Sequence, residues 1–276
     1  MKKVEKAELP EKKLPIGVID SGVGGLSVLK WLQEKMPHED FIYIGDTARC
    51  PYGNAHSEDE ILEFSAQMID TLGQKGVKAF VVACNTISML GKDNLRFGYE
   101  LPIITMSLGT QILLNTSPTK KIGIMATPFT ISKDLHRSAI LATDASAQVS
   151  VVACPDFVPL IEGEKFGSLK LRMTITKYCK EFRENGVDTI ILSCTHYPFI
   201  REEIAKEMGS DVHIVDPAEQ TAVDVIETLG KDLLKTEGVG KAKICCTADI
   251  SRVRRLAERI LDLKKCEFSE IKLVEL

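Results

Sequence analysis

The sequence lacks the features that mark several large classes of protein. None of its apolar runs approaches the ~20 residues of a membrane-spanning helix. Its 35 basic residues are outnumbered by 39 acidic ones, and the net charge of −4 gives no support to a nucleic-acid-binding surface. We therefore expect neither a membrane nor a nucleic acid as a partner.

Two further arrangements are missing, a zinc-binding cysteine pair and a signal peptide. No two of the eight cysteines stand in the Cys-x-x-Cys spacing of structural zinc sites. The opening segment, Met1 to Lys13, has no apolar signal-peptide core. These observations predict free thiols in a reducing cytoplasm. Because lysine and glutamate alternate in residues 1–13, we expect this segment to be a charged extension.

A nucleotide-binding loop is absent as well, although one segment resembles such a loop. Asp20-Ser-Gly-Val-Gly-Gly25 follows an apolar run, but Ser27 stands where a dinucleotide fingerprint needs glycine or alanine. No Gly-Lys-Ser/Thr follows, which excludes a Walker loop. The segment is either a tight strand-to-helix connection or a set of backbone N–H groups that hold a substrate carboxylate.

What the sequence does contain is an internal repeat centred on two cysteines. Lys78-Ala-Phe-Val-Val-Ala-Cys-Asn-Thr86 and Asp188-Thr-Ile-Ile-Leu-Ser-Cys-Thr-His196 are short apolar runs that end in a thiol and two polar residues, 110 residues apart. Ile16-Gly17 and Ile122-Gly123 repeat at the similar offset of 106. The repeat predicts two related half-domains that each contribute one sulfur to a shared site.

The spacing of apolar residues predicts the fold class. Strands alternate with amphipathic helices throughout, which is typical of parallel α/β sheets. We predict an α/β protein of two pseudo-symmetric lobes, each an open, mainly parallel sheet flanked by helices, with the active site in the interlobe cleft. The predicted first lobe comprises residues 14–110 and 216–276, and the predicted second lobe comprises residues 111–215.

Polar and ionisable residues follow the predicted strands, where ligands bind in open α/β sheets. They are Asp20, Ser21, Asp46, Thr47, Cys84, Asn85, Thr86, Glu162, Cys194, Thr195 and His196. Asp20 and His196 are candidates to accept a proton from a neighbouring thiol, and a helix start is expected to lower the pKa of a thiol beside it. The other six cysteines, Cys50 among them, are expected to be inert packing residues, and His136 a surface or structural residue.

Six motifs occur in order between Ile16 and Pro217. They are Asp20-Ser-Gly-Val-Gly-Gly-Leu26, Gly45-Asp-Thr-Ala-Arg49, Pro51-Tyr-Gly53, Val81-Val-Ala-Cys-Asn-Thr86, Phe157-Val-Pro-Leu160 with Glu162, and Cys194-Thr-His-Tyr-Pro198. Together they resemble the motifs of the glutamate racemases, a branch of the cofactor-independent aspartate/glutamate racemase family.

The resemblance implies an amino-acid racemase that uses no cofactor and no metal and has glutamate as its small-molecule substrate. It implies catalytic roles for Cys84 and Cys194, with Asp20, Glu162 and His196 in supporting acid or base roles. The substrate contacts that it implies are Asp20, Ser21, Tyr52, Gly53, Asn85, Thr86, Thr195 and His196. It also implies that the D-glutamate produced feeds peptidoglycan synthesis, and it is compatible with a homodimer.

Three other functions remain open. A racemase of the same family that acts on aspartate or another small amino acid would share the fold and differ in its relative rates on L-glutamate and L-aspartate. A zinc hydrolase that uses Cys84, Cys194 and His196 would contain stoichiometric metal. A two-lobed binding protein would bind its ligand without exchanging the Cα proton for solvent deuterium.

Overall fold

The computed structural model describes residues 11–275, so most of the predicted charged extension lies outside the described residues. The strands are β1 (Ile16–Asp20), β2 (Phe41–Gly45), β3 (Ala79–Val82), β4 (Ile103–Thr105), β5 (Lys121–Ala126), β6 (Gln148–Ala153), β7 (Thr189–Ser193), β8 (His213–Val215), β9 (Ala242–Cys246) and β10 (Cys266–Glu270). The α-helices are α1 (Leu26–Lys35), α2 (Tyr52–Ala55), α3 (Glu58–Gln74), α4 (Asn85–Ser88), α5 (Thr110–Thr116), α6 (Pro128–Ser132), α7 (Leu135–Thr143), α8 (Phe157–Glu162), α9 (Leu169–Glu184), α10 (Arg201–Met208), α11 (Ala218–Leu233, interrupted at Gly230) and α12 (Ile250–Ala257). Within these residues, none of the helices combines the length and the apolar character needed to cross a membrane.

Across residues 11–275 the strands form two sheets, and all of their pairings are parallel. The first sheet has the order β10-β9-β2-β1-β3-β4, and the second has the order β6-β5-β7-β8. This arrangement confirms the predicted α/β class with two parallel sheets flanked by helices. Strand β9 pairs with β2, so the last part of the chain returns to the first sheet. The lobe boundaries at residues 110 and 216 stay a prediction.

The central strand β1 shows why these apolar runs form parallel strands. All five of its residues are buried, with Ile16 and Val18 in one apolar cluster and Ile19 in another on the opposite face. Helices cover both faces of a parallel sheet, so its central strands are apolar throughout instead of alternating with polar residues.

The start of α3 is fixed by its own sequence. The side chain of Ser57 accepts a hydrogen bond from the backbone N–H of Glu60, and the Glu60 carboxylate accepts one from the N–H of Ser57. This reciprocal cap satisfies two N–H groups that would otherwise have no partner in the first turn.

Polar contacts join the two sheets near the carboxyl ends of their strands. The hydroxyl of Ser27 donates to the carbonyl of Thr195 at 2.9 Å, and the amide of Asn54 donates to the carbonyl of Pro155 at 2.8 Å. These contacts hold the strand-end residues of both sheets next to each other.

The apolar residues near the end of the chain, Ile271, Leu273 and Val274, predict a final strand at about residues 271–274, and this prediction is wrong. Strand β10 occupies Cys266–Glu270 instead, with Cys266 opposite Ala242 of β9. Ile271 and Leu273 pack against the apolar cluster beneath α3. Strand register is strongly specified only where one face of the strand is buried, and none of the residues of β10 is fully buried.

His136 is a structural residue on α7. Its side chain is only 3% exposed, and its Nε2 has no hydrogen-bond partner among the described residues. Burial lowers the pKa of His136 from 6.5 to about 4, because the charged imidazolium would lose its hydration.

We expect His136 to make stability depend on pH. The unfolded chain binds a proton near pH 6.5, whereas the folded chain excludes it down to about pH 4. The free energy of unfolding should therefore fall by about 3 kcal/mol as the pH drops from 7 to 4. Urea unfolding at several pH values should show this component in the wild type and not in His136→Gln. The exposed His213→Gln variant is the control, and an equal fall in all three proteins would contradict the prediction.

Candidate active site

The carboxyl ends of the two sheets meet at one cavity of about 260 Å³. Cys84 lies two residues after β3, and Cys194 directly follows β7. Both line the cavity, although their strands belong to different sheets. The other lining residues are Ser21, Pro51, Tyr52, Gly53, Asn85, Thr86, Thr127, Val158, Thr195 and His196.

Cys84 is a buried thiol whose Sγ donates to the Ser21 hydroxyl at 3.5 Å. Burial, followed by the charge of Asp20, raises its pKa to about 12. The expectation that a helix start lowers the pKa of this thiol is wrong. Helix α4 has only four residues, and the hydrogen bond from the Ile87 N–H offsets only part of the desolvation. Cys84 is therefore a neutral thiol in the resting site and a strong base once ionised.

A chain of side chains leads away from Cys194. Its Sγ lies 3.9 Å from Nδ1 of His196, whose Nε2 lies 2.8 Å from Oε1 of Glu162. Burial by itself would lower the pKa of His196, but hydrogen bonds to Cys194, Cys50 and Glu162 outweigh it and raise that pKa well above 6.5. Burial would raise the pKa of Glu162, but the hydrogen bond and charge of His196 lower it. The result is an imidazolium–carboxylate pair beside the Cys194 sulfur.

Asp20 lies behind the cavity wall and is not among the lining residues. Its carboxylate accepts hydrogen bonds from the Gly22 N–H at 2.9 Å, the Tyr43 hydroxyl at 3.3 Å and the Thr195 hydroxyl at 3.4 Å. Burial raises the pKa of Asp20, and the charge of His196 offsets part of that rise. Asp20 can therefore affect the cavity through Gly22, Tyr43 and Thr195.

The glycine-rich segment after β1 is explained by the close approach of site residues. A Cβ on Gly22 would lie 2.5 Å from Oε1 of Glu162, and a Cβ on Gly24 would collide with His196. The N–H of Val23 donates to Oε1 of Glu162 at 3.2 Å. This N–H group therefore holds a carboxylate of the protein itself, and not the substrate carboxylate considered for this segment.

Asn85 is placed to bind a ligand. It is 2% exposed, it lines the cavity, and neither atom of its side-chain amide has a hydrogen-bond partner among residues 11–275. Buried polar groups in folded proteins are nearly always paired. An amide left unpaired at a cavity wall is therefore available to a small polar molecule.

Thr127 is a cavity residue that the sequence reasoning missed. Its hydroxyl lies 3.1 Å from that of Thr86, and a Cβ on Gly53 would approach it to 2.5 Å. The internal repeat carried the signal, because the offset of 106 pairs Thr127 with Ser21. Each half therefore places a hydroxyl after its first strand, on the same cavity.

Cys50 and Arg252 are two further residues that the sequence reasoning did not assign to the site. Cys50, expected to be inert packing, donates through Sγ to Oε1 of Glu162 at 3.4 Å. Burial raises the pKa of this thiol, which keeps it protonated. Arg252 on α12 places Nη2 3.7 Å from Oε2 of Glu162. Neither residue lies near Glu162 in sequence, and neither stands in a motif that points to it.

A possible set of metal ligands also converges here. Within the part of the chain that the structure describes, Cys50, Glu162 and His196 offer ligand atoms within 4.8 Å of one another. The zinc hydrolase alternative requires a different set, built on the two cysteines of the repeat. Hydrogen bonds to the Glu162 carboxylate account for the proximity of these three side chains.

The chain matches the model of a known protein family. The family model described as Asp/Glu/Hydantoin racemase matches residues 16–225. The glutamate racemase of Thermoanaerobacter pseudethanolicus is 41% identical over 253 residues, which cover 91% of this chain and 94% of that protein.

Solved structures show the same likeness. A glutamate racemase isoform from Bacillus anthracis superposes with a TM-score of 0.86 at 32% identity, covering 95% of this chain and 98% of that one. The glutamate racemase of Francisella tularensis, solved in complex with D-glutamate, gives a TM-score of 0.81 at 32% identity and covers 96% and 98% of the two chains.

Proposed function

The chain belongs to the Asp/Glu/hydantoin racemase family and is an isomerase, and from this premise we propose that it interconverts L- and D-glutamate by proton transfer at Cα. The observation that carries the proposal is the convergence of Cys84 and Cys194 on one small cavity. Glutamate is proposed as the substrate because the similar proteins are glutamate racemases, one of them solved with D-glutamate bound.

Racemisation needs two groups because a proton leaves one face of Cα and another proton arrives on the opposite face. A single side chain cannot easily reach both faces. We assign the two faces to Cys84 and Cys194, with one thiolate and one thiol at the start of each turnover. Each group then acts as base in one direction and as acid in the other.

The electrostatics of the two thiols suit this division. The desolvation that raises the pKa of Cys84 makes its thiolate a stronger base for a weakly acidic Cα proton. The substrate ammonium brings the positive charge that favours ionisation of a buried thiol. Beside Cys194, the protonated His196 supplies a proton to the sulfur or stabilises its thiolate, and Glu162 holds His196 in that form.

The carbanion formed at Cα must be stabilised through the substrate carboxylate. The unpaired amide of Asn85 and the hydroxyls of Ser21, Thr86 and Thr195 are the donors that we assign to this task. Tyr52 and Gly53 complete the proposed substrate contacts, and Asp20 is assigned a supporting role. The chemistry of these groups suffices for proton transfer without a cofactor. We further propose that D-glutamate made in this way supplies peptidoglycan synthesis.

The test uses purified, chelator-treated, cofactor-free protein in reducing buffer. The circular dichroism of L-glutamate and of D-glutamate should decay to zero, with deuterium incorporated at Cα in heavy water. Faster decay with L-aspartate would favour the aspartate alternative. Activity that requires metal would favour the zinc hydrolase, and binding without deuterium exchange would favour the binding protein.

A further inference from the structure

The two oxygens of the Glu162 carboxylate have different surroundings. Oε1 lies 3.2 Å from the Val23 N–H donor, 3.4 Å from the Cys50 thiol and 2.8 Å from Nε2 of His196. Oε2 is buried and accepts no hydrogen bond from the described residues. A buried carboxylate remains charged only where counter-charge compensates its lost hydration. Because no hydrogen bond from these residues compensates the lost hydration of Oε2, a nearby cation has to do so.

Arg252 is the cation that faces this oxygen. Its Nη2 lies 3.7 Å from Oε2 of Glu162, and its side chain is 24% exposed. Its Nε is buried and makes no hydrogen bond to the described residues. Another carboxylate within reach is Asp249 on the same segment, 3.6 Å from Nε. The guanidinium therefore lies between the carboxylates of Glu162 and Asp249, and Glu162 belongs to the candidate active site.

Hydrogen bonds to Thr47, which follows β2 of the first sheet, hold the segment that carries Arg252 in place. Thr47 donates through its hydroxyl to the carbonyl of Ala248 at 2.6 Å and accepts the Ala248 N–H at 2.9 Å. Helix α12 starts two residues later, where the Asp249 carboxylate accepts the N–H of Arg252 at 3.1 Å. Arg252 thus reaches Glu162, at the end of α8, from an anchored position.

We propose that Arg252 is a positioning residue for proton transfer at Cys194, which it serves by keeping Glu162 ionised and directed at His196. The proposal rests on the racemase function proposed above. Arg252 is not among the cavity-lining residues, so its effect passes through the Glu162 carboxylate.

The surroundings of Glu162 fix the direction of the expected change. Burial would raise the pKa of Glu162, and the charges of His196 and then Arg252 lower it. Loss of Arg252 should therefore move protonation of Glu162 to higher pH. The other charged or titratable groups that face this pair are Cys50, Asp20, Tyr43, Asp249 and the exposed pair of Glu164 with Arg255.

The kinetic test compares Arg252→Ala, Arg252→Lys and Arg254→Ala. Arg254 is a matched control because it lies on the same helix with its side chain 63% exposed. We expect Arg252→Ala to lower kcat/KM about tenfold, less than the about 10²–10⁴-fold cost of losing an acid–base group itself, and Arg252→Lys to restore most of the loss. Arg254→Ala should stay within about twofold of wild type.

Isotope effects separate positioning from a general loss of structure. By the family resemblance, Cys194 deprotonates L-glutamate. If Arg252→Ala slows transfer at Cys194, Cα-deuterated L-glutamate should show a larger primary isotope effect on kcat/KM than in wild type, and Cα-deuterated D-glutamate a smaller one. A purely structural role would leave both isotope effects at their wild-type values.

A measurement made without substrate can show this proposal to be wrong even if the proposed racemase function is right, and the reverse. Infrared difference spectra, with Glu162→Gln as the reference, follow protonation of the Glu162 carboxylate. Its midpoint should be higher in Arg252→Ala than in Arg254→Ala, whether or not glutamate is the substrate. An unchanged midpoint, equal rates for Arg252→Ala and Arg254→Ala, or a lysine variant no better than alanine would overturn the proposal.

Discussion

Replacement of either Cys84 or Cys194 by serine is expected to reduce racemisation in both directions by about 10²–10⁴-fold, because loss of one acid–base group has that cost and each thiol is used in every turnover. A serine hydroxyl is a far weaker acid than a thiol and does not ionise in a buried site. L- and D-glutamate have equal free energies, so kcat/KM must fall equally from both sides. Circular dichroism of either enantiomer measures the loss.

The serine variants should keep one partial reaction. With one thiol intact, the Cα proton of the enantiomer that faces it should still exchange with heavy water, which proton NMR detects. Cys266→Ser is the matched control, because Cys266 is a half-buried free cysteine on β10, away from the cavity. Turnover within tenfold of wild type in either Cys84→Ser or Cys194→Ser would defeat the two-thiol mechanism.

Substitution of the pair beside Cys194 should have the next largest effect. Glu162→Gln and His196→Asn are each expected to lower kcat/KM by about 10²-fold, because they remove the group that supplies or stabilises the proton at Cys194. The exposed His213→Gln variant should retain wild-type rates.

The pH dependence of kcat/KM should also change, in a direction that the surroundings of His196 determine. In the wild type, hydrogen bonds that include the one to Glu162 hold the pKa of His196 well above 6.5 despite burial. Without the Glu162 carboxylate that pKa falls, so His196 loses its proton at lower pH. The alkaline limb of kcat/KM should therefore move to lower pH in Glu162→Gln. A limb that stays in place, or moves upward, would show that this histidine does not act as the imidazolium.

The sequence by itself determined which residues stand at the ends of the strands. Apolar runs that stop at Asp20, Cys84 and Cys194 are local features, and in parallel sheets the carboxyl ends of neighbouring strands lie at one edge. The internal repeat added the relation between the two halves and paired Ser21 with Thr127. The fold class and the residues that line the cavity therefore follow largely from short stretches of sequence.

Local sequence could not give the sign of a pKa shift. A position at a helix start favours the thiolate of Cys84, and only its burial in the folded protein reverses that preference. The same limit applies to the backbone N–H of Val23. The sequence suggested that it could bind a ligand, but in the folded protein it donates to Glu162. Desolvation depends on every neighbour of a group, and most of these neighbours come from elsewhere in the chain.

Only the tertiary structure decided what surrounds Glu162. Cys50 lies 112 residues before it and Arg252 lies 90 residues after it. No periodicity or motif links these positions, because hydrogen bonds and ion pairs act over a few ångströms and report nothing about separation along the chain. Parallel pairing of β9 with β2 brings the last part of the chain back to the first sheet. That return places the Arg252 guanidinium beside a carboxylate of the site, and no reading of α12 alone could have predicted it.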